Sequence, residues 1–241
     1  MITLEPGLAR AARQPMTQDS GDTCWTVVRA ASAGDAEARK EFAQAYAATI
    51  RGYLDARWRG RVLTSETEDA TQEVFLECLK PGGALERMDR TRGDFRGFLF
   101  GVTRNVARRF EERALGRGRL RAEDSAWVQH VVSDDPGQAT LFDRSWARSL
   151  IQEAKHRHRE LALADGEAGG RRIELLERRF GSDEAIRDIA VQWGVPAQDV
   201  HNAYRKARTE FYGCLRQVVA FHSIGEIDLE AECRRLLASL A

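Results

Sequence analysis

The segment Asp183–Arg208 carries side chains suited to reading a nucleic acid. On a helix starting at Pro196, the 3.6-residue period turns Val200, Tyr204 and Ala207 to one side. Gln198, Asp199, His201, Asn202, Arg205, Lys206 and Arg208 fall on the other. An asparagine amide can pair an adenine edge, arginine and lysine can pair guanine, and further cations neutralise phosphates. That chemistry is recognition of duplex DNA through its major groove. A plain αα-hairpin with a solvated face has the same periodicity; the turn residues and the polar first half of the second helix favour the DNA-binding form.

A second group lies between Arg87 and Arg121. Eleven arginines there stand against four carboxylates (Asp89, Asp94, Glu111 and Glu112), a local excess of seven positive charges. Phe95, Phe98, Leu99 and Phe100 are interleaved with them. Cations that follow a backbone, beside rings that accept unstacked bases, suit single-stranded DNA, where one base–ring stack is worth about 1–3 kcal/mol. Helical spacing assigns Phe95, Leu99, Val102, Val106 and Phe110 to a core. Phe98 and Phe100 remain as candidate ring contacts, and some of the arginines are ordinary solvated surface.

Helices must position these groups, because almost every patterned segment has a period near 3.6 and none alternates at period 2. A first helix is predicted from about Asp35, its cap, to Trp58, with Phe42, Tyr46, Ile50 and Leu54 inward. A second starts at the Thr64 and Ser65 hydroxyls, turns Ala70, Val74, Phe75 and Cys78 inward, and stops before Pro81-Gly82-Gly83. With Phe95–Arg113 these make a compact bundle. Gly116, Gly118, Asp134, Asp135, Pro136 and Gly137 interrupt the pattern and mark a linker. Beyond it a helix from about Thr140 to Leu163 carries Phe142, Trp146, Leu150 and Ala154 in register. Helical segments over 171–180, 183–193 and 196–219 follow, with Ala185, Ile186, Ile189 and Ala190 inward in the second of them. Gly194 supplies its turn and Pro196 suits the first turn of the next helix. A short acidic helix is expected over 224–241. The fold class is therefore all-α: two small helical domains joined by a flexible linker.

Composition narrows the function classes. The net charge is zero, 37 basic against 37 acidic residues, which argues against a protein that coats nucleic acid indiscriminately. Cys24, Cys78, Cys214 and Cys233 form no C-x-x-C pair and read as buried thiols of a reducing cytosol. No metal site or cofactor is expected. The first 23 residues lack the apolar core of a signal or anchor, and no later run could span a bilayer, so a cytoplasmic protein without a membrane segment is predicted. His156 and His158, two apart on a helix, diverge, and no carboxylate, Ser or Cys constellation suggests an enzyme.

Two segments in order resemble a known family. Asp69-Ala70-Thr71-Gln72-Glu73-Val74-Phe75, followed by Phe95-Arg96-Gly97-Phe98-Leu99-Phe100 and then Asn105, closely resembles domain 2 of extracytoplasmic-function (ECF) sigma factors of the sigma-70 family. Glu184–Arg208 resembles their domain 4. The similarity runs from about Trp25 to Val219. It implies a sigma factor that binds core RNA polymerase, through the β′ coiled coil and the β flap, and directs promoter-specific initiation including promoter melting. Asp69, Gln72, Glu73 and Leu76 would grip the coiled coil. The stretch 82–94 and Asn105 would capture a flipped base of the minus-ten element beside Phe98, with Arg104, Arg108 and Arg109 on nearby phosphates. His201, Asn202, Arg205 and Lys206 would read the duplex minus-thirty-five element. The implied organisation is a tail at 1–22, domain 2 at 23–115, a linker at 116–138, domain 4 at 139–220 and a helical tail at 221–241.

The chain departs from the family pattern in three places. Phe98 stands where a Trp is usual, keeping a ring but losing an indole N–H. His201-Asn202 replaces the commoner Lys/Arg-Ser pair, so promoter preference does not transfer. The run Thr64–Asp69 is less acidic than in relatives; Thr64, Ser65 and Thr67 are expected as caps. Because some branches of the family are thought to be controlled by Ser/Thr kinases, the three are also candidate phosphorylation sites, where a phosphate would add about −1.5 to −2 charge to the polymerase-binding surface. An anti-sigma factor is the other candidate regulator. Two rival functions are a helix-turn-helix regulator that never binds polymerase, which leaves the first half unassigned, and a sigma-like decoy for protein partners, which has no need of Arg205, Lys206 and Arg104–Arg109.

Overall fold

The computed structural model describes residues 24–88, 94–116, 136–223 and 228–239. Among them are nine α-helices, one 3₁₀ turn and no strand. The tail 1–22, most of the expected linker and residues 89–93 lie outside the described residues.

Helix α1 (Cys24–Ser32) precedes the first helix expected from the sequence and buries Cys24, Val28 and Ala31. Gly34, at φ +99°, reverses the chain, and Asp35 then caps α2 (Ala36–Arg57) by accepting the Ala38 N–H at 2.7 Å. The expected stripe Phe42, Tyr46, Ile50 and Leu54 is buried, together with Tyr53 and Trp58. A 3₁₀ turn (Val62–Glu66) leads into α3 (Thr67–Leu79). Thr64 and Ser65 do not cap α3: their hydroxyls donate backwards, to the carbonyls of Trp58 and Val62, which closes the 3₁₀ turn and moves the helix start to Thr67. In α3, Ala70, Val74 and Cys78 are buried and Phe75 packs at the core's edge. The reversal after α3 needs glycine at position 83, where a Cβ would lie 2.5 Å from the Lys80 carbonyl oxygen. Helix α4 (Phe95–Gly116) buries Phe95, Leu99 and Val106, with Val102 and Phe110 half-buried.

Helix α5 (Pro136–Leu163) lies along α2 and buries Phe142, Trp146, Leu150 and Ala154, the four residues expected in register. Helices α6 (Gly166–Gly181), α7 (Ile186–Trp193), α8 (Ala197–His222) and α9 (Leu229–Ala238) complete the chain. The apolar interior is divided unequally. One large core joins α1–α4 to α5, to the C-terminal half of α8 and to Cys233 and Leu236 of α9. A second, small core of Leu175, Ile189, Ala190 and Val200 holds α6, α7 and the start of α8 together. Helix α5 thus belongs to the interior of the first-half bundle as well as packing on α6 and α8.

Candidate nucleic-acid and polymerase interfaces

Helix α7 closes at Gly194, whose φ of +65° lies in the left-handed region, and the Val195 N–H returns to the Ala190 carbonyl at 3.1 Å. Pro196 then precedes α8, so α7 and α8 form a helix-turn-helix over the small core. Ile189, Ala190 and Val200 are buried, as their spacing requires. Ala185 is not inward: it precedes α7 in extended backbone, off the helical period, and is exposed. Gln198, Asp199, His201, Asn202, Arg205, Lys206 and Arg208 are all exposed along one side of α8. The Asn202 side-chain oxygen accepts from Gln198 at 3.2 Å and from Arg205 at 2.8 Å, which pre-orients amide and guanidinium side by side. Lys206 reaches away toward Asp165 at 3.2 Å, in a network with Arg172 and Glu210. An open groove of about 850 Å³ runs past Ile186, Gln198, His201, Asn202, Arg205 and Arg208.

The first half presents two surfaces. On α3, Asp69, Gln72 and Leu76 are exposed and Glu73 is half-buried, one stripe set by spacings of three and four. Leu76 is 62% exposed, a large apolar side chain in water. On α4, Asn105 and Arg109 are exposed and Arg104 and Arg108 half-buried. A cleft of about 420 Å³ opens between α4 and the chain after α3, lined by Ala84, Arg87, Asn105, Arg108 and Arg109 together with Glu77 and Glu112, and Arg108 approaches Glu112 at 3.6 Å. The two surfaces meet, because Arg109 pairs with Glu77 at 2.9 Å and approaches Glu73 at 3.8 Å. Lys80 and Arg109 together hold the Glu77 carboxyl below the usual range.

The candidate rings differ from one another. Phe98 is half-buried, 5.9 Å from Phe95. Phe100 is packed between Tyr53 (5.9 Å) and Phe142 (5.3 Å), with the Arg104 guanidinium 6.0 Å from its ring centre. Of the candidate phosphorylation sites, Thr64 and Ser65 are exposed and Thr67 is buried. All four cysteines are buried free thiols, and burial pushes Cys78 up to about 12. Among the described residues no group of three His, Cys, Asp or Glu side chains could hold a metal ion, and no helix is long and apolar enough to cross a membrane.

No protein-family model matches the chain, and no curated protein matches it. Function therefore has to be argued from the residues.

Sequence reasoning overlooked two polar nodes beneath these surfaces. Arg57 and Glu111, both fully buried, pair at 2.6 and 2.8 Å, and Glu111 also accepts the Trp58 indole N–H at 2.8 Å. Arg57 continues to the Tyr53 hydroxyl at 2.8 Å and to the Gln138 side-chain oxygen at 2.6 Å, tying α2, α4 and α5 together. Further along α5, the Tyr46 hydroxyl meets His222 Nδ1 at 3.1 Å, and His222 Nε2 meets Glu153 at 3.1 Å. Burial works to raise the Glu153 pKa, but His222 and Arg157 outweigh it and hold the carboxyl low. The first node had a readable signal: a basic residue on the inward face of one helix and an acidic residue on that of another.

Proposed function

We propose that the protein is a sigma factor of the ECF type: it binds core RNA polymerase, brings it to promoters and helps open them. The observation that carries the reading is the ordered set of three solvent-facing surfaces, each with exposed polar side chains: Asp69 and Gln72, Asn105 and Arg109, and His201, Asn202 and Arg205. The stripe Asp69, Gln72, Glu73 and Leu76 on α3 is the polymerase grip. The basic cleft around Asn105, Arg108 and Arg109 on α4 takes the unpaired minus-ten strand. The polar face of α8, with His201, Asn202, Arg205 and Lys206, takes the duplex minus-thirty-five element. Helices α1–α4 and α6–α8 act as the two DNA-binding modules, in the cytoplasm with the polymerase.

The work is binding, without covalent chemistry. Duplex contacts through α8 fix the register, each specific base contact being worth about 1–3 kcal/mol. Opening is driven by preference for the unpaired strand: a base stacked on Phe98 returns about what its unstacking costs, and phosphate contacts from Arg104, Arg108 and Arg109 supply the surplus. The ordered α3 and α4 surfaces favour this reading over a regulator that works without polymerase, which leaves the first half of the chain unassigned. Run-off transcription with purified core polymerase on genomic DNA fragments, with mapping of start sites, tests it. Discrete start sites that require the protein are expected. Duplex binding without initiation would refute it.

A further inference from the structure

We infer that Asn202 and Arg205 act as one donor-only unit, which selects a guanine in the upstream element beside a second base carrying a major-groove oxygen, guanine or thymine. The inference rests on the proposed function and names the bases that its α8 surface reads.

Gln198, Asn202 and Arg205 follow one another at spacings of four and three, so they form a single exposed stripe on α8. Arginine has N–H donors and no acceptor, so the Asn202 atom 2.8 Å from the Arg205 guanidinium is the amide oxygen. The same oxygen accepts from the Gln198 amide nitrogen at 3.2 Å. An amide oxygen has two lone pairs, and both are occupied. What Asn202 has left to offer a base is its N–H₂ group.

Pairing with adenine needs the whole amide: the oxygen must accept from N6 while the nitrogen donates to N7. That use of Asn202, the one its residue type suggests, would break both hydrogen bonds and release Arg205. Kept as a pair, amide and guanidinium present donors alone. Donors match the O6 and N7 of guanine and the O4 of thymine, whereas the amino groups of adenine and cytosine oppose them. Arg205 spends one N–H on Asn202 and keeps enough of its fork for a bidentate contact with guanine. Their mutual hydrogen bond holds the two side chains to the same or adjacent base pairs, which are about 3.4 Å apart.

The neighbouring cations are engaged elsewhere. Lys206 is drawn to Asp165 at 3.2 Å and Glu210 at 3.7 Å, and the Arg208 guanidinium lies 5.7 Å from the Tyr204 ring centre. Neither joins the stripe. No carboxylate lines the groove beside it, so an amino-bearing base finds no anionic acceptor there.

Full-length protein with core RNA polymerase is incubated with promoter templates randomised across the upstream element, and bound templates are recovered and sequenced. Wild type should enrich guanine by about fivefold or more at one position, and guanine or thymine over adenine and cytosine at its neighbour. Asn202→Asp keeps an oxygen toward Arg205 but turns the donor group into a second acceptor. It should retain guanine at the first position and reverse the neighbour toward adenine or cytosine. Each pool is scored by its own base ratios, so a change in overall affinity does not alter the outcome. Arg205→Lys, which loses the bidentate fork, should flatten the guanine preference. Adenine enriched at the neighbour by wild type, or a neighbour preference that Asn202→Asp leaves unchanged, would overturn the inference while leaving the proposed function intact. Recovery of bound templates with no base preference in the upstream element would overturn it as well. If wild type brings polymerase to no template, the proposed function falls and the inference with it.

Discussion

Changing Glu111 to glutamine keeps the side chain's shape and removes its charge, leaving Arg57 ionised inside the protein. Glu111 receives two hydrogen bonds from that guanidinium and one from Trp58. Glutamine can accept at only one terminal atom and turns an N–H₂ toward the cation. Neither partner of the pair reaches water, with side chains 1% and 0% exposed. Breaking a buried pair from one side costs about 3–5 kcal/mol, since the remaining charge stays desolvated. At about 2–4 °C per kcal/mol for a chain of this size, Glu111→Gln should lower Tm by about 6–20 °C. The internal control is Glu68→Gln, which removes an equally well-formed bidentate pair with Arg51 at the surface. There water and salt screen both charges, and the cost should stay below about 1 kcal/mol. Urea titrations and thermal scans of both variants decide the matter. If the two lose the same small amount, the Arg57–Glu111 pair is not desolvated and the described junction of α2, α4 and α5 is wrong.

Leu76→Asp should melt within about 0.5 kcal/mol of wild type, as an exposed position allows, yet bind core polymerase at least tenfold more weakly in a pull-down titration; unchanged binding would mean that the α3 stripe is not the grip. Asn202→Ala and Arg205→Ala should each reduce initiation by about 5- to 150-fold, corresponding to about 1–3 kcal/mol, and the loss should vanish on templates lacking the upstream element. The four thiols should react slowly with a thiol reagent at pH 8 in the native protein and all at once in denaturant, Cys78 being held up to about 12 by burial; a rapidly reacting native thiol would contradict their placement. Glu153 is held low in the folded state, so its stabilisation is complete above the ordinary carboxylate value of about 4.3 and fades as pH falls through the folded value. Glu153→Gln should therefore cost stability at pH 7 and progressively less below about pH 4; a deficit that does not change with pH would refute this.

Much of the helical layout was legible because each buried stripe repeats at four-residue steps: Phe42 to Leu54, and Phe142 to Ala154, are buried as their spacing indicates. The start of α3 was not, because a hydroxyl can bond forward to cap a helix or backward to close a turn. Thr64 and Ser65 do the second. Helix α1 was readable in principle from Cys24, Val28 and Ala31 but is too short for its period to stand out. The α5 stripe says that a face is covered without saying by what, so its seat against Tyr46 and Tyr53 appears only in three dimensions. Exposure of the α8 side chains follows from helical period, whereas the pairing of Asn202 with Arg205, and the diversion of Lys206 to Asp165, depend on rotamers and on a neighbouring helix.

The most direct measurement of the central claim is permanganate reactivity of promoter thymines in the presence of core polymerase and the protein. Thymines near minus ten should become reactive only when both are present, and Arg108→Ala/Arg109→Ala should abolish that signal while leaving upstream duplex protection in place. A promoter protected by the protein alone, with no reactive thymine under any condition, would contradict it.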